Sequence, residues 1–80
     1  TDIRTNFSNL FSTSVNSIDV AQNLVVIKTL SGMAQAVCAA LDSADYTSVV
    51  GTIAGDDTIF IACRTADLAV SLTEELKKLI

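Results

Sequence analysis

Between Met33 and Leu41 a single polar side chain, Gln35, interrupts an otherwise apolar run. The segment Met33 to Ala44 holds five alanines and neither proline nor glycine, so it reads as a helix. A helix on the surface of a small domain needs one apolar stripe, and this one is apolar nearly all round. One flank has to cover a sheet and the other has to meet something else. The chain has 80 residues, half of them hydrophobic. A domain this small buries only about 60% of the surface its unfolded form exposes, so contact with further copies of the same chain is the expected outlet for the apolar excess.

The rest of the chain alternates between helical and strand periods. Ile3, Phe7, Leu10 and Phe11 recur at helical spacing, with Asp2 available as a cap, which predicts a short leading helix. Val15 to Ala21 predicts a strand with Ile18 and Val20 on one face. Gln22-Asn23 then makes a tight turn, with the asparagine suited to positive φ. Leu24 to Leu30 is β-branched and nearly apolar, a central strand. Ser31-Gly32 breaks the pattern and places Ser31 to cap the helix that follows. Val49–Ala54 and Thr58–Arg64 flank Gly55-Asp56-Asp57, the pattern of a β-hairpin. Thr65 and Asp67 open a last helix with Leu68, Leu72, Leu76 and Leu79 down one side. The expected fold class is α+β, a ββαββα two-layer sandwich after the leading helix. It has a mostly antiparallel four-stranded sheet with two helices on one face. That order is a ferredoxin-like βαββαβ unit with its last strand moved to the front. The other sheet face, with strands this apolar, should be at least partly covered by neighbours.

Nine acidic side chains against five basic ones, and no histidine, give a formal charge of −4. An acidic chain repels phosphate, which argues against a direct hold on DNA or RNA. Without histidine it lacks the usual near-neutral proton carrier and the commonest transition-metal ligand. Cys38 and Cys63 sit far apart in apolar runs. They admit one disulfide at most, and buried free thiols in a reducing cytoplasm are expected. No apolar run approaches the ~20 residues that span a bilayer, and no secretory leader pattern opens the chain. The first residue is threonine, as expected of a processed chain or a fragment of a longer protein.

Two places invite a functional reading. Gln35 and Asp42 are seven residues apart, about two helical turns, and so share a stripe. The short side chains of Cys38 and Ala39 lie between them, leaving a shallow groove with a hydrogen-bonding group at each end. The second place is Gly51 to Thr58. Its adjacent Asp56 and Asp57 repel each other unless something positive lies near. Arg4, Lys28, Arg64, Lys77 and Lys78 are expected elsewhere, so Asp42, Asp56 and Asp57 have few basic partners. Neighbouring side chains of an extended backbone point to opposite sides, so the two aspartates serve two different pockets or one pocket shared by two subunits. Clustered carboxylates without histidine suit an organic cation or a hard metal ion.

Gly51 to Thr58, reading GTIAGDDT, resembles the hallmark of the C-terminal domain of bacterial arginine repressors. LVVIKTLSGMAQ (residues 24–35) and ALDS (residues 40–43) resemble the same family in order and spacing. The resemblance covers residues 13–80 and is weaker before that, so residues 1–12 are expected to be a linker or short helix from an absent N-terminal domain. It implies a hexamer of two stacked trimers, with L-arginine bound between them as co-repressor and no other cofactor. Operator DNA would be bound only by a separate winged helix-turn-helix domain. Carried over by position, the arginine contacts would fall on Gln35, Asp42, Asp56 and Asp57, with backbone groups around Thr52 and Ala54 as further candidates. Two other readings remain: a ligand-independent oligomerisation module, and a metal-dependent enzyme using Asp42, Asp56 and Asp57. The latter lacks a candidate base, nucleophile pair or phosphate loop.

Overall fold

The leading segment forms helix α1 (Ile3–Ser14) and runs without a loop into strand β1 (Val15–Ala21). The computed structural model describes residues 3–80, so the cap expected of Asp2 lies outside the described residues. The chain continues through β2 (Leu24–Thr29), α2 (Ala34–Ala44), β3 (Val49–Ala54), β4 (Thr58–Cys63) and α3 (Ala66–Lys77). After α1 the order is ββαββα, and the class is α+β as expected. The four strands form one sheet in the order β1-β2-β4-β3, with every neighbouring pair antiparallel. The two hairpins therefore join along β2 and β4. β1 and β3 are left as edges.

Period-2 alternation sorts the sheet into two faces. Val25, Ile27, Ile59, Ile61 and Cys63 point inward and are buried. Helix α3 lies over β1, β2 and β4, and α2 over β3 and β4. They contribute Ala34, Val37 and Leu41 from α2, and Ala69, Leu72 and Leu76 from α3. Each large side chain buried this way is worth about 1.5–3 kcal/mol. Helix α1 packs on α2 and brings in Phe11, which is fully buried, with Phe7 tilted against it at 5.4 Å between ring centroids. So α1 takes part of the second flank of α2. Gln35, Ala36, Ala39 and Asp42 stay exposed on it. On the outer sheet face, Ile53, Phe60 and Val26 stand side by side through the pairings Ile53↔Phe60 and Val26↔Phe60. Ile53 is 70% exposed and Phe60 46%. No helix among the described residues is long and apolar enough to cross a membrane.

Three local expectations are corrected. Ser31 does not cap α2: the N-cap is Met33, without a side-chain cap bond. Gly32, at φ +79°, turns the chain, and the Asp56 carbonyl accepts from both Gly32 N–H and Ala34 N–H at 3.1 Å. The cap thus comes from the β3–β4 turn. In the β1–β2 turn the positive φ falls on Gln22, not Asn23. Asn23 is held against the end of β4, its Nδ2 donating to the Cys63 carbonyl at 3.2 Å and its own carbonyl accepting from Cys63 N–H at 2.9 Å. On α3 the inward stripe passes through Ala69, Leu72, Thr73 and Leu76. That spacing leaves Leu68 37% exposed. Cys38 and Cys63 are free and buried.

Candidate functional site

Helix α2 has no polar side chain in its first two turns except Gln35, so the groove above it is defined by what it lacks. Cys38 and Ala39 are too short to fill the space between Gln35 and Asp42. Beside them runs β3. Pairing of Thr52 with Ile61 and of Ala54 with Ile59 turns both toward the helix layer. The result is one open groove of about 290 Å³ lined by Gln35, Cys38, Ala39, Asp42, Thr52, Ile53 and Ala54. Four of the six candidate residues therefore meet in one place. No basic side chain lines it.

A directed chain of hydrogen bonds crosses the groove floor. The Thr52 hydroxyl donates to Asp42 Oδ1 at 2.8 Å, and Cys38 Sγ donates to Thr52 Oγ1 at 3.1 Å. Asp42 has its second carboxylate oxygen left for another donor. Because β3 is an edge strand, backbone groups along it also face away from the sheet.

Asp56 and Asp57 are not in the groove lining. They form the two-residue tip of the β3–β4 hairpin, closed by Gly55 N–H donating to the Thr58 carbonyl at 2.9 Å. Their carboxylates diverge. Asp56 Oδ2 accepts from Gly32 N–H at 3.2 Å, beside the N-terminal end of α2, where the helix dipole favours negative charge. Asp57 Oδ1 accepts from the Thr58 hydroxyl at 3.0 Å, and that hydroxyl in turn accepts from Lys28 Nζ at 3.0 Å. Lys28, expected away from the acidic residues, is thus one hydroxyl from Asp57. Strand pairing explains it, since Lys28 lies opposite Thr58 across β2 and β4. The carbonyls of the same two aspartates hold Gly32, Ala34 and Thr29, so the tip is pinned to the structure.

The metal-dependent alternative needed Asp42, Asp56 and Asp57 to converge. The first bonds to Thr52 in the groove and the other two at the hairpin tip. No group of His, Cys, Asp or Glu among the described residues is placed to hold a metal ion. The side chains of Cys38, Thr52, Thr58 and Lys28 were missed as partners of the carboxylates. For Thr52 the clue was a hydroxyl on the same period-2 face as Ala54, opposite a helix of small residues.

A family model described as "Arginine repressor, C-terminal domain" matches residues 11–78. Among curated proteins, an "Arginine repressor" of Alkaliphilus oremlandii is 56% identical over 71 residues, covering 89% of this chain and 48% of the relative. One from Acetivibrio thermocellus is 51% identical over 70 residues, covering 88% and 46%. One from Clostridium tetani is 43% identical over 79 residues, covering 99% and 52%. The chain spans about half the length of the curated relatives it matches.

Proposed function

The chain belongs to the family of arginine repressor C-terminal domains, and on that premise we propose that it is the ligand-sensing and oligomerising part of an arginine-responsive transcriptional regulator. The family is one of repressors, not enzymes. In this reading L-arginine binds as co-repressor between two trimers and stabilises a hexamer. DNA-binding domains outside this sequence contact operators of arginine-metabolism genes in the cytoplasm.

One observation carries the reading. Gln35, Asp42, Thr52 and Ala54 share a groove without a basic group, while Asp56 and Asp57 stand outside it. A single chain therefore offers half of an amino-acid site, and a neighbouring copy supplies the other half. The guanidinium of arginine is a planar donor fork that matches one carboxylate in bidentate fashion, a role for Asp56 or Asp57 of the neighbour. The ligand's α-ammonium needs acceptors, which the free oxygen of Asp42 and the Gln35 amide oxygen provide. Its α-carboxylate takes outward N–H groups of β3 around Thr52 and Ala54. Each hydrogen bond to a charged group is worth about 1.5–3 kcal/mol. After the cost of immobilising the ligand, affinity falls in the range of about −5 to −8 kcal/mol, micromolar to sub-millimolar.

A site completed by two copies makes binding and assembly one event, so mass action turns arginine concentration into hexamer. Fixing several DNA-binding domains in one arrangement then raises operator affinity by multivalency. Isothermal titration tests the ligand: whichever of Asp56→Asn and Asp57→Asn removes the carboxylate that holds the guanidinium weakens arginine by about tenfold or more. Lysine, without the fork, and citrulline, without the charge, bind more weakly than arginine. Unchanged affinity in both variants would overturn the assignment. The exposed Ile53 and Phe60, with half-buried Val26 beside them, favour a second reading, assembly without any ligand. Light scattering separates the two, since in that case arginine leaves the mass unchanged.

A further inference from the structure

The arginine reading assigns Asp42 to the ligand but leaves unexplained what holds that carboxylate. Asp42 is exposed near the end of α2 and would sample several rotamers if unrestrained. We propose that Thr52 is a positioning residue for Asp42, and that the Cys38 thiol fixes Thr52 in that role.

A threonine hydroxyl has one proton to give. Here it goes to Asp42 Oδ1 at 2.8 Å. The thiol of Cys38, buried on the groove floor, donates to Thr52 Oγ1 at 3.1 Å and so occupies one of its lone pairs. With donor and acceptor both engaged, the hydroxyl does not rotate toward solvent. Asp42 is tied by one oxygen and presents the other to the groove. The tie also links α2 to β3, the two walls of the groove, beside one of the acceptors offered to the ligand's ammonium. Thr58 binds Asp57 Oδ1 and Gly32 binds Asp56 Oδ2 in the same manner, one oxygen held and one free. Of these ties, only the one on Asp42 lies in the groove. Thr52 thereby supplies preorganisation: the ordering that arginine would otherwise impose on Asp42 is already in place.

The proposal rests on the arginine reading, and its test keeps the two apart. Arginine is titrated calorimetrically into the purified chain and its variants. Thr52→Val keeps the shape and removes the hydroxyl, so it weakens binding by about tenfold. Thr52→Ser keeps the hydroxyl and recovers most of that loss. A packing role would give the reverse order, Ser weak and Val strong, and would overturn the proposal. Cys38→Ala weakens binding about two- to threefold, as expected for a weak donor. Because it acts through Thr52, its effect disappears in the Thr52→Val background. A Cys38→Ala loss that persists at full size there would also overturn it. A parent chain that fails to bind millimolar arginine overturns the arginine reading itself, and the positioning role with it. A parent that binds while Thr52→Val matches it overturns the positioning role alone.

Discussion

The hydroxyl of Thr73 is buried in α3 without a hydrogen-bond partner, next to Leu72 and Leu76. Desolvating such a group costs about 1–3 kcal/mol, so Thr73→Val, of similar shape, raises stability by about 1 kcal/mol in urea unfolding. Two other residues bear on stability at alkaline pH. Tyr46 is raised above its ordinary phenol value, first by burial and then by the charge of Glu75. Burial alone raises the Cys63 thiol. Both folded-state values lie above the unfolded ones, so the fold holds the proton longer than the open chain does. Their stabilising contribution is complete below the unfolded values and is lost as pH rises through the folded ones. Melting temperature should therefore stay flat toward neutrality and decline above about pH 9–10, and replacing Tyr46 with Phe should soften that decline. These environments were not legible in the sequence. Thr73 sits one place from the leucine stripe that the helical period identified, and the charge of Glu75 reaches Tyr46, 29 residues earlier in the chain, only through the tertiary fold.

Among the elements, the caps of α2 and α3 make an instructive pair. Thr65 accepts from Leu68 N–H at 3.1 Å, a local bond within the sequence that predicted it. Thr65→Ala should cost about 1 kcal/mol in thermal or urea unfolding. Ser31 has the same chemistry and stands in a similar place, yet the Asp56 carbonyl takes its role. Ser31→Ala should change stability by less than about 0.5 kcal/mol, the usual range for a surface site without such a bond. The difference arises because a strand turn distant in sequence comes to lie under the start of α2. The β1–β2 turn teaches the same thing. Its position was readable from two hydrophobic runs, but tethering of Asn23 to Cys63 moved the positive φ to Gln22. A glycine meets that conformation without strain, so Gln22→Gly should raise stability by about 0.5 kcal/mol in the same assay.

For the whole molecule, the apolar surplus noted in the sequence is visible as Ile53, Phe60, Val50 and Leu30 left exposed by a complete core. In the proposed assembly, arginine binds only the folded and associated state. Its effect should be a rise in melting temperature, amounting to about 2.7 kcal/mol of stabilisation at a hundredfold excess over the dissociation constant. That rise should depend on protein concentration as well as on arginine. A ligand bound wholly within one chain would give the first dependence without the second. Scanning calorimetry at several protein concentrations distinguishes the two.

The sequence by itself determined the kind and order of the elements, since helix and strand periods are local and the turns between them carry their own punctuation. It also determined the α2 wall of the groove, because Gln35, Cys38, Ala39 and Asp42 share a stripe whatever else the chain does. The tertiary structure alone decided the partners of each carboxylate: Thr52 for Asp42, Gly32 for Asp56, and Thr58 with Lys28 behind it for Asp57. Those bonds join segments whose proximity depends on strand register and on how a helix lies across the sheet. Register is set by the collective fit of the whole inner face, and no short stretch of sequence contains it.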